Sequence, residues 1–250
     1  MTKVRLDIEM ARRGTVSTRS QAESFIKLGK VAVNGRKVVK PGHFVGPSAE
    51  IVMQPEERYV SRAGMKLASV AELLKLHFTD KIVLDIGSST GGFTDYALQH
   101  GAQKVFAVDV GTEQLHPSLR SDARIELHEK TDIRDFIPSQ TPDIIVIDVS
   151  FISLREILPH VATAICGPDT QVVAMVKPQF EAGRNQTNKG VIKNDSVRRQ
   201  ILKDFELWAK GLFVIHDKRD SEVSGAKGNQ ERFYLLTLNR NSTTSPGRIT

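Results

Sequence analysis

Apolar and polar positions follow two different rhythms along the chain, and the change falls near residue 60. From residue 81 onward, runs rich in Val, Ile, Leu and Phe alternate with stretches that have the spacing of amphipathic helices. The runs begin with KIVLDIG at 81–87 and end with RFYLLTLNR at 232–240. Near-continuous apolar strands between helices are typical of a parallel sheet that helices cover on both faces. The pattern predicts an α/β fold with a doubly wound, mostly parallel, seven-stranded sheet.

The residues before this region predict a smaller, separate α+β unit. A short helical pattern stops at Gly14, and a second helix starts near Thr18. VAVNGRKV at 31–38 places two apolar-alternating arms around Asn34-Gly35, which is the strongest short-range signal for a tight hairpin. We therefore expect two short helices and a small sheet in this unit.

The two rhythms divide the chain into four predicted parts. Residues 1–54 form the small unit, 55–62 a polar linker, 63–239 the α/β domain, and 240–250 a polar tail that we expect to be disordered. Within the α/β domain, the Gly- and Asn-containing loop at 188–195 could close over a substrate as a lid.

The basic charge is concentrated in the small unit. The whole chain carries 35 Lys and Arg against 29 Asp and Glu, a formal charge of +6. Residues 1–60 hold 11 basic and 6 acidic side chains, or +5, which leaves +1 for the rest of the chain. A patch of this kind attracts nucleic acid, although a solvated basic surface would carry the same charge. The predicted phosphate-binding residues are Arg5, Arg12, Arg13, Arg19, Lys27, Lys30 and Lys40.

Composition argues against several classes of protein. The apolar runs fall short of the roughly 18–20 residues that a membrane helix needs, and no secretory signal pattern opens the sequence. The single cysteine, Cys166, cannot form an intrachain disulfide, and the histidines lack metal-ligand spacing. We therefore expect a cytoplasmic protein with no membrane span and no metal.

The turn DIGSSTGGF at 85–93 carries the candidate cofactor site. It follows the first strand of the α/β domain, where glycines and a helix start commonly hold a nucleotide-like ligand. It matches neither G-x-G-x-x-G nor the G-x-x-x-x-G-K-S/T phosphate loop, and it has no Lys or Arg to meet a pyrophosphate. Its acidic strand end instead suits a ligand with a cationic amino-acid head and a sulfonium, such as S-adenosylmethionine (SAM).

Two more acidic residues follow the next strands. Asp109 could accept hydrogen bonds from ribose hydroxyls, and Asp132 could meet the adenine amino group. Each carboxylate taken singly could also be an ordinary helix cap or loop charge. The predicted cofactor-binding residues are Asp85, Gly87, Ser88, Gly91, Gly92, Phe93, Asp109 and Asp132.

These motifs resemble known families. The order Arg5-Leu6-Asp7, Ser20-Gln21-Ala22 and Lys40-Pro41-Gly42 resembles the S-four (αL) RNA-binding domain, so the seven basic residues become candidate RNA-binding residues. The glycine turn resembles motif one of SAM-dependent methyltransferases. The candidate catalytic residues resemble, in their order, the tetrad of FtsJ-like ribose 2′-O-methyltransferases; they are Lys66, Asp148, Lys177 and Glu231.

Over residues 3–238 the chain resembles the TlyA family of haemolysin-A-like ribosomal RNA methyltransferases. Further motifs that carry this resemblance are YVSRAGMKL, DVSFISL, VKPQFE and GNQE. The resemblance implies a Rossmann-like SAM-dependent methyltransferase domain behind an S-four domain. It further implies methylation of a ribose 2′-hydroxyl, cytidine as the nucleotide, and ribosomal RNA or ribosomal subunits as partners. Thr90 stands where the broader FtsJ pattern has proline, which agrees with the TlyA branch.

The chemistry suggests roles for the four candidate catalytic residues. A ribose hydroxyl is a weak nucleophile, so it must be oriented and must lose its proton. Lys177 could act as the base or steer the hydroxyl, and Asp148 could orient either of them. Lys66 and Glu231 would complete the charge network, and the member that takes the proton stays open because such networks titrate as units.

Three other functions compete with this interpretation. A cytolysin, the activity for which the family was first named, fits poorly with the missing signal peptide and amphipathic span. An RNA-binding protein with an inactive methyltransferase domain fits poorly with four tetrad residues present. Base N-methylation would need an Asn-Pro-Pro-aromatic loop, whereas residues 148–151 read DVSF. Elsewhere, we expect Arg198 and Arg199 to form a surface pair and Trp208 to lie in the core.

Overall fold

The computed structural model describes residues 3–27, 29–53, 59–182, 191–192, 194–225 and 228–240. The chain divides into two compact units, Met1–Arg58 and Tyr59–Thr250. Half of the expected linker, half of the lid loop and all of the tail except Arg240 lie outside the described residues. The last residues of the expected linker belong to the second unit, because Tyr59 is buried in its core and a helix begins at Arg62.

The described residues of the first unit form two helices and five short strands. They are β1 (Val4–Arg5), α1 (Leu6–Arg12), α2 (Arg19–Lys27), β2 (Val31–Val33), β3 (Arg36–Val38), β4 (Phe44–Val45) and β5 (Ile51–Met53). One small sheet has the order β3-β2-β5, and β1 pairs with β4 in a second; both are antiparallel. Apolar residues of both helices and both sheets, such as Leu6, Ile26 and Val31, form one buried core.

The predicted hairpin is confirmed. Val33 pairs with Arg36, and the two residues between them have positive φ, 48° at Asn34 and 75° at Gly35. Positive φ at both central positions defines the turn type whose twist matches that of the flanking strands, and Asn-Gly adopts it at low cost.

The second unit is a three-layer α/β structure. Its elements are α3 (Arg62–Ala71), β6 (Ile82–Ile86), α4 (Gly92–Gln99), β7 (Lys104–Val108), β8 (Ile125–His128), β9 (Ile144–Ile147), α5 (Leu154–His160), β10 (Gln171–Val176), α6 (Pro178–Glu181), α7 (Asp195–Ala209), β11 (Phe213–Asp220) and β12 (Arg232–Leu238). A 3-10 turn spans Ile133–Asp135, and a π-helical turn at Val161–Ile165 continues α5. The sheet has the order β11-β12-β10-β9-β6-β7-β8, in which only the pairs of β12 are antiparallel. The predicted seven-stranded, mostly parallel sheet is confirmed.

Alternate residues of the strands enter two separate cores. Leu84 and Ile86 of β6 pack on the side covered by α5 and α7, whereas Val83 packs on the side covered by α3 and α4. Strands buried on both faces explain the near-continuous apolar runs in the sequence. The chain leaves β6 for β7 on one side and later places β9 on the other, so the sheet order reverses at β6. Open α/β sheets bind ligands in the crevice that such a reversal creates at the carboxyl ends of the strands.

Two glycines allow α3 and α4 to approach closely beside this crevice. A Cβ atom placed on Gly92 would lie 2.2 Å from Ser61 Oγ and 2.7 Å from the backbone nitrogen of Gly64. A Cβ atom on Gly64 would lie 2.9 Å from the carbonyl oxygen of Gly92. Because backbone atoms cannot rotate away, a side chain at either position forces the two helices apart.

Gly92→Ala should therefore destabilise the second unit by about 1–3 kcal/mol through overpacking. The unfolding midpoint in urea, followed by the fluorescence of the single tryptophan Trp208 in that unit, measures the effect. Gly46→Ala is the control, because a Cβ atom there meets nothing within 4 Å and the residue lies in the first unit. An unchanged midpoint for Gly92→Ala would contradict the close-packing role.

Candidate active site

Two buried ion pairs lie at the carboxyl edge of the sheet. Lys66 Nζ lies 2.5 Å from Glu231 Oε2, and Lys177 Nζ lies 2.6 Å from Asp148 Oδ1. All four side chains are largely buried. The two pairs also interact electrostatically, because the charges of both Lys66 and Glu231 affect the pKa of Asp148. The structure thus brings together the four residues that the sequence analysis selected as catalytic candidates.

Neighbouring elements of the sheet hold these side chains in place. Asp148 follows β9, Lys177 follows β10, and Glu231 precedes the antiparallel β12, so all three meet at one edge. Lys66 comes from α3. Ser61 caps the start of this helix, because its hydroxyl accepts a hydrogen bond from the Ala63 backbone nitrogen. Burial raises the pKa of Asp148, and the adjacent Lys177 ammonium opposes that shift.

Two adjoining cavities open beside the ion pairs. The larger has a volume of about 370 Å³ and the smaller about 130 Å³. Gly87, Ser89, Asp148 and Ser150 line both of them. The larger cavity has mostly apolar walls and three acidic residues, Asp109, Asp132 and Asp148, whereas the smaller is lined by polar and charged groups that include Asp85 and Lys177. A ligand with a nucleoside and a charged amino-acid head matches this division.

The smaller cavity contains the buried carboxylate of Asp85, which forms no ion pair among the described residues. Asp85 Oδ2 accepts hydrogen bonds from the backbone nitrogen and the hydroxyl of Thr94, at 2.9 and 2.7 Å. Its Oδ1 and the Ser88 hydroxyl are buried and have no hydrogen-bond partner in the described part of the chain. Burial raises the pKa of Asp85 to about 7. A bound ammonium group would satisfy both orphaned oxygens, so this site fits the amino-acid head of SAM.

The larger cavity has the other two predicted carboxylates on its wall. Asp109 accepts hydrogen bonds from the backbone nitrogens of Gly111 and Ser89, at 2.6 and 2.8 Å, which fixes its carboxylate at the end of β7. Asp132 caps the 3-10 turn and pairs with Arg134 at 2.6 Å, and this pairing lowers its pKa. Asp132 therefore serves as a helix cap, which the sequence left open as an alternative to cofactor binding. It also lines the cavity.

The glycines of the turn serve the packing of the protein itself. Gly87 has φ of 80° and lines both cavities, but Gly91 and Gly92 line neither. A Cβ atom on Gly91 would lie 2.6 Å from a methyl group of Leu119. Phe93 lines the smaller cavity, and its ring lies 6.0 Å from that of Phe233 in the core. Gly91 and Gly92 are therefore required by the packing of the protein, and their predicted part in cofactor binding stays a prediction.

Sequence reasoning missed several residues of the site. Lys177 Nζ donates to Ser150 Oγ at 2.7 Å, which ties the lysine to the loop after β9. The next residue, Phe151, is 90% exposed, has φ of 67° and lines the larger cavity. The order DVSF could have pointed to Ser150, because a hydroxyl two residues after a strand-end carboxylate lies at the same edge. Nothing in the local pattern indicates the positive φ at Phe151.

The expected surface pair on α7 is also corrected. Arg198 is partly buried, with 12% of its side chain exposed, and it pairs with Asp220 at 2.6 Å, whereas Arg199 is exposed. Trp208 packs against the larger core as predicted.

In the first unit, two buried carboxylates hold four of the predicted RNA-binding arginines. Asp7 binds Arg5 and Arg19, and Glu9 binds Arg12 and Arg13. Arg hydrogen bonds lower the pKa of Glu9 to about 2 and that of Asp7 still further. Of the others, Lys27 and Lys40 are exposed and Lys30 lies near the ring of Phe25.

One of these arginines faces the protein. Arg13 donates to the carbonyl oxygens of Ala49 and Pro47 at 2.6 and 3.0 Å, and only 26% of its side chain is exposed. Arg12 keeps 65% of its side chain exposed. The structure therefore gives Arg13 an internal role, while Arg5, Arg12 and Arg19 stay accessible.

Within the described ranges, no group of three or more His, Cys, Asp or Glu side chains could hold a metal ion. No helix in that part of the chain combines the length and the apolar character that crossing a membrane requires.

The fold and the paired lysines and carboxylates place the second unit among the Rossmann-like methyltransferases. The family model of the FtsJ-like methyltransferases matches residues 59–239, and that of the S4 domain matches residues 4–51. The chain therefore belongs to the FtsJ-like methyltransferase family, with an S4 domain ahead of the enzyme domain. Its cofactor is SAM.

Curated relatives and a solved structure resemble nearly the whole chain. The 16S/23S rRNA (cytidine-2′-O)-methyltransferase TlyA of Mycobacterium tuberculosis is 38% identical over 245 residues, which cover 94% of this chain and 90% of the relative. Hemolysin A of Brachyspira hyodysenteriae is 38% identical over 235 residues, 91% of this chain and 97% of the relative. A solved Streptococcus thermophilus protein that bears a hemolysin name is 40% identical with a TM-score of 0.73, and the match covers 96% of this chain and 90% of that one.

The raised pKa of Asp85 predicts how cofactor binding depends on pH. The empty site favours the protonated acid below about pH 7, and the ligand ammonium requires the ionised form. Affinity for S-adenosylhomocysteine, which carries the same amino-acid head, should rise roughly eightfold between pH 6 and 7.5, a range in which that amino group stays protonated. Titration calorimetry across this range measures it.

Asp85→Asn should weaken binding and remove most of this pH dependence, because the amide cannot ionise. Asp135→Asn, a change at an exposed carboxylate outside the cavities, should keep both the affinity and the pH dependence of the wild type. An Asp85→Asn variant with the wild-type pH dependence would show that another group is responsible.

Proposed function

We propose that this protein transfers the methyl group of SAM to a ribose 2′-hydroxyl of ribosomal RNA. The observation that carries the proposal is the buried Lys177–Asp148 contact, which lines the smaller of the cavities that fit SAM, together with the Lys66–Glu231 contact, which acts on the charge of Asp148. Bound SAM supplies an electrophilic methyl group on its sulfonium. The remaining requirements, orientation of the hydroxyl and removal of its proton, fall to the side chains of this chain.

Lys177 has the position that these requirements demand. It lines the smaller cavity, and its amine is held from two sides by Asp148 and Ser150. Fixed at both contacts, Nζ can direct a hydrogen bond at the ribose oxygen and stabilise the negative charge that develops there. Asp148 lines both cavities, so its carboxylate is within reach of the hydroxyl proton. Lys66 and Glu231 fix the electrostatic surroundings, and the four groups share the proton as one network.

The relatives support the choice of substrate. The Mycobacterium tuberculosis TlyA and the Campylobacter jejuni protein named 23S rRNA (cytidine-2′-O)-methyltransferase TlyA, which is 40% identical over 186 residues, both carry cytidine ribose methylation in their names. We extend this to cytidine of ribosomal RNA as the substrate, either free or within a ribosomal subunit. The exposed arginines of the first unit supply the charge for docking it.

Lys177→Ala should abolish methyl transfer and leave the affinity for S-adenosylhomocysteine within about twofold of the wild type, because the lost amine acts on the hydroxyl rather than on the cofactor. Transfer of radiolabelled methyl groups to purified ribosomal RNA and titration calorimetry measure the two quantities. Lys203→Ala, which removes an exposed amine on α7, is the control and should keep both. Retained turnover in Lys177→Ala would remove this residue from the site.

The modified atom is tested separately by mapping. Ribosomal RNA from cells with and without the protein should differ by ribose methylation at one or more cytidines. A difference at a base nitrogen, or at no position, would overturn the proposed reaction, and lysis of lipid vesicles by the purified protein would instead favour the activity in the hemolysin names.

A further inference from the structure

The first unit exposes an aromatic ring beside its arginines. Phe44 in β4 is 60% exposed. The other residue of this two-residue strand, Val45, is buried. Val45 pairs with Val4 and Phe44 pairs with Arg5 in the antiparallel ladder. Directly opposed residues of such a ladder have their side chains on the same face. Phe44 and Arg5 therefore share the outward face, whereas the two valines share the inward face.

The arginine beside this ring is fixed in place. Arg5 makes two hydrogen bonds to the buried Asp7 carboxylate, at 3.0 and 2.8 Å, and Asp7 also accepts from Arg19 Nε at 2.9 Å. The Arg5 guanidinium lies next to Gly42, where a Cβ atom would be 3.8 Å from Cζ. About 40% of the Arg5 side chain and 53% of the Arg19 side chain stay exposed. One oriented cation, Arg5, thus shares the outward face with the exposed ring, and Arg19 is bound to the same carboxylate as Arg5.

We propose that Phe44 stacks on an unpaired base of the RNA while Arg5 binds an adjacent phosphate. An exposed ring next to fixed guanidiniums matches the two faces of a nucleotide, its apolar base and its anionic backbone. A paired helix would offer only its phosphates here, because its bases are stacked on one another. This inference rests on the proposed function and adds that the first unit selects RNA with an unpaired nucleotide.

The test compares single-stranded and paired RNA of the same length. The probes are an oligouridine of about ten nucleotides and its duplex with oligoadenosine, titrated against the full chain at several salt concentrations. Phe44→Leu keeps an apolar side chain but removes the ring. It should weaken binding of the single strand roughly five- to hundredfold, leave duplex binding unchanged, and leave the salt dependence unchanged. Phe44→Tyr should bind like the wild type.

Two further variants separate stacking from charge. Arg5→Gln should lower the slope of log affinity against log salt by about 0.7 on the single strand, because one phosphate contact is lost. Val39→Ala, a change at another exposed apolar residue of the same unit, should behave as the wild type. Wild-type single-strand affinity in Phe44→Leu, or equal weakening on both probes, overturns the stacking proposal. If Arg5→Gln also leaves the slope unchanged, the RNA-docking role in the proposed function fails as well.

A different observation in the second unit concerns Glu231. Asp220 at the end of β11 accepts hydrogen bonds from two arginines: Arg198 at 2.6 Å, and Arg232 at 2.6 and 2.9 Å. Arg198 also donates to the carbonyl oxygen of Gln230 at 3.2 Å. The residues on both sides of Glu231 are thus bound to one carboxylate-centred cluster. The carbonyl oxygen of Glu231 itself accepts from the Ser221 backbone nitrogen at 3.0 Å.

We infer that Arg198 is a positioning residue that holds Glu231 against Lys66. Glu231 comes immediately before β12, where the ladder alone fixes only one side of the residue. The bond from Arg198 to Gln230 supplies the constraint on the other side and links α7 to the active site. This inference also rests on the proposed function, since it assigns the Lys66–Glu231 pair a part in methyl transfer.

Arg198→Ala should lower the rate of methyl transfer at saturating RNA and SAM about ten- to hundredfold, because a small displacement of Glu231 misplaces the charge network. The KM for RNA and the affinity for S-adenosylhomocysteine should stay near the wild-type values. Arg198→Lys keeps a cation on Asp220 and should recover part of the rate. The neighbouring Arg199→Ala is the control and should match the wild type, since Arg199 is exposed.

Two results overturn this second inference. One is an unchanged rate in Arg198→Ala; the other is a loss of rate that follows losses of cofactor affinity and of the urea midpoint, which would show a merely structural role. The activity of the wild type and of Arg199→Ala distinguishes either result from failure of the proposed reaction.

Discussion

The burial of positive charge at the carboxyl edge of the sheet is the constraint on which the second unit depends. Lys66 and Lys177 lie in a place nearly closed to water, where each amine needs a counter-charge, and Glu231 and Asp148 lie 2.5 and 2.6 Å away. Removing one partner of a buried pair typically costs about 3–5 kcal/mol, because the other charge is left uncompensated. The order β12-β10-β9 places three of the four residues side by side, so the strand pairing that builds the fold also sets the distances within the site.

Asp85 lies one strand further along, in β6, and has no lysine, in the part of the chain that the structure describes, to neutralise its charge. It is buried like Asp148, but it has Thr94 rather than a lysine beside it, and its pKa rises to about 7. A carboxylate in this condition gains most from a ligand that brings its own cation. The site therefore divides into a part whose charges are already neutralised, to which we assign the proposed chemistry, and a part that a cationic cofactor would complete.

The sequence predicts much of this because strand ends are easy to find in it. Asp85, Asp109, Asp148 and Lys177 each end or directly follow an apolar run, and parallel strands bring such positions to one edge. What it could not predict depends on contacts between distant segments. The burial of Arg198 needs Asp220 on another element, and the close approach at Gly92 needs α3. The residues around Arg198 in the sequence do not indicate Asp220, and those around Gly92 do not indicate α3. The sequence alone therefore favoured an exposed arginine pair at 198–199 and a glycine at 92 that contacts the ligand.

In both units, buried carboxylates orient basic side chains, but the basic side chains differ in how exposed they are. In the first, the buried carboxylates of Asp7 and Glu9 orient arginines whose outer parts remain in solvent. In the second, the carboxylates of Asp148 and Glu231 orient lysines that are themselves buried. Two arginines on each carboxylate leave an exposed net positive charge that attracts a phosphate, whereas each buried lysine is paired with one carboxylate and acts only at contact. The difference in burial therefore assigns long-range capture of a polyanion to the first unit and short-range chemistry to the second.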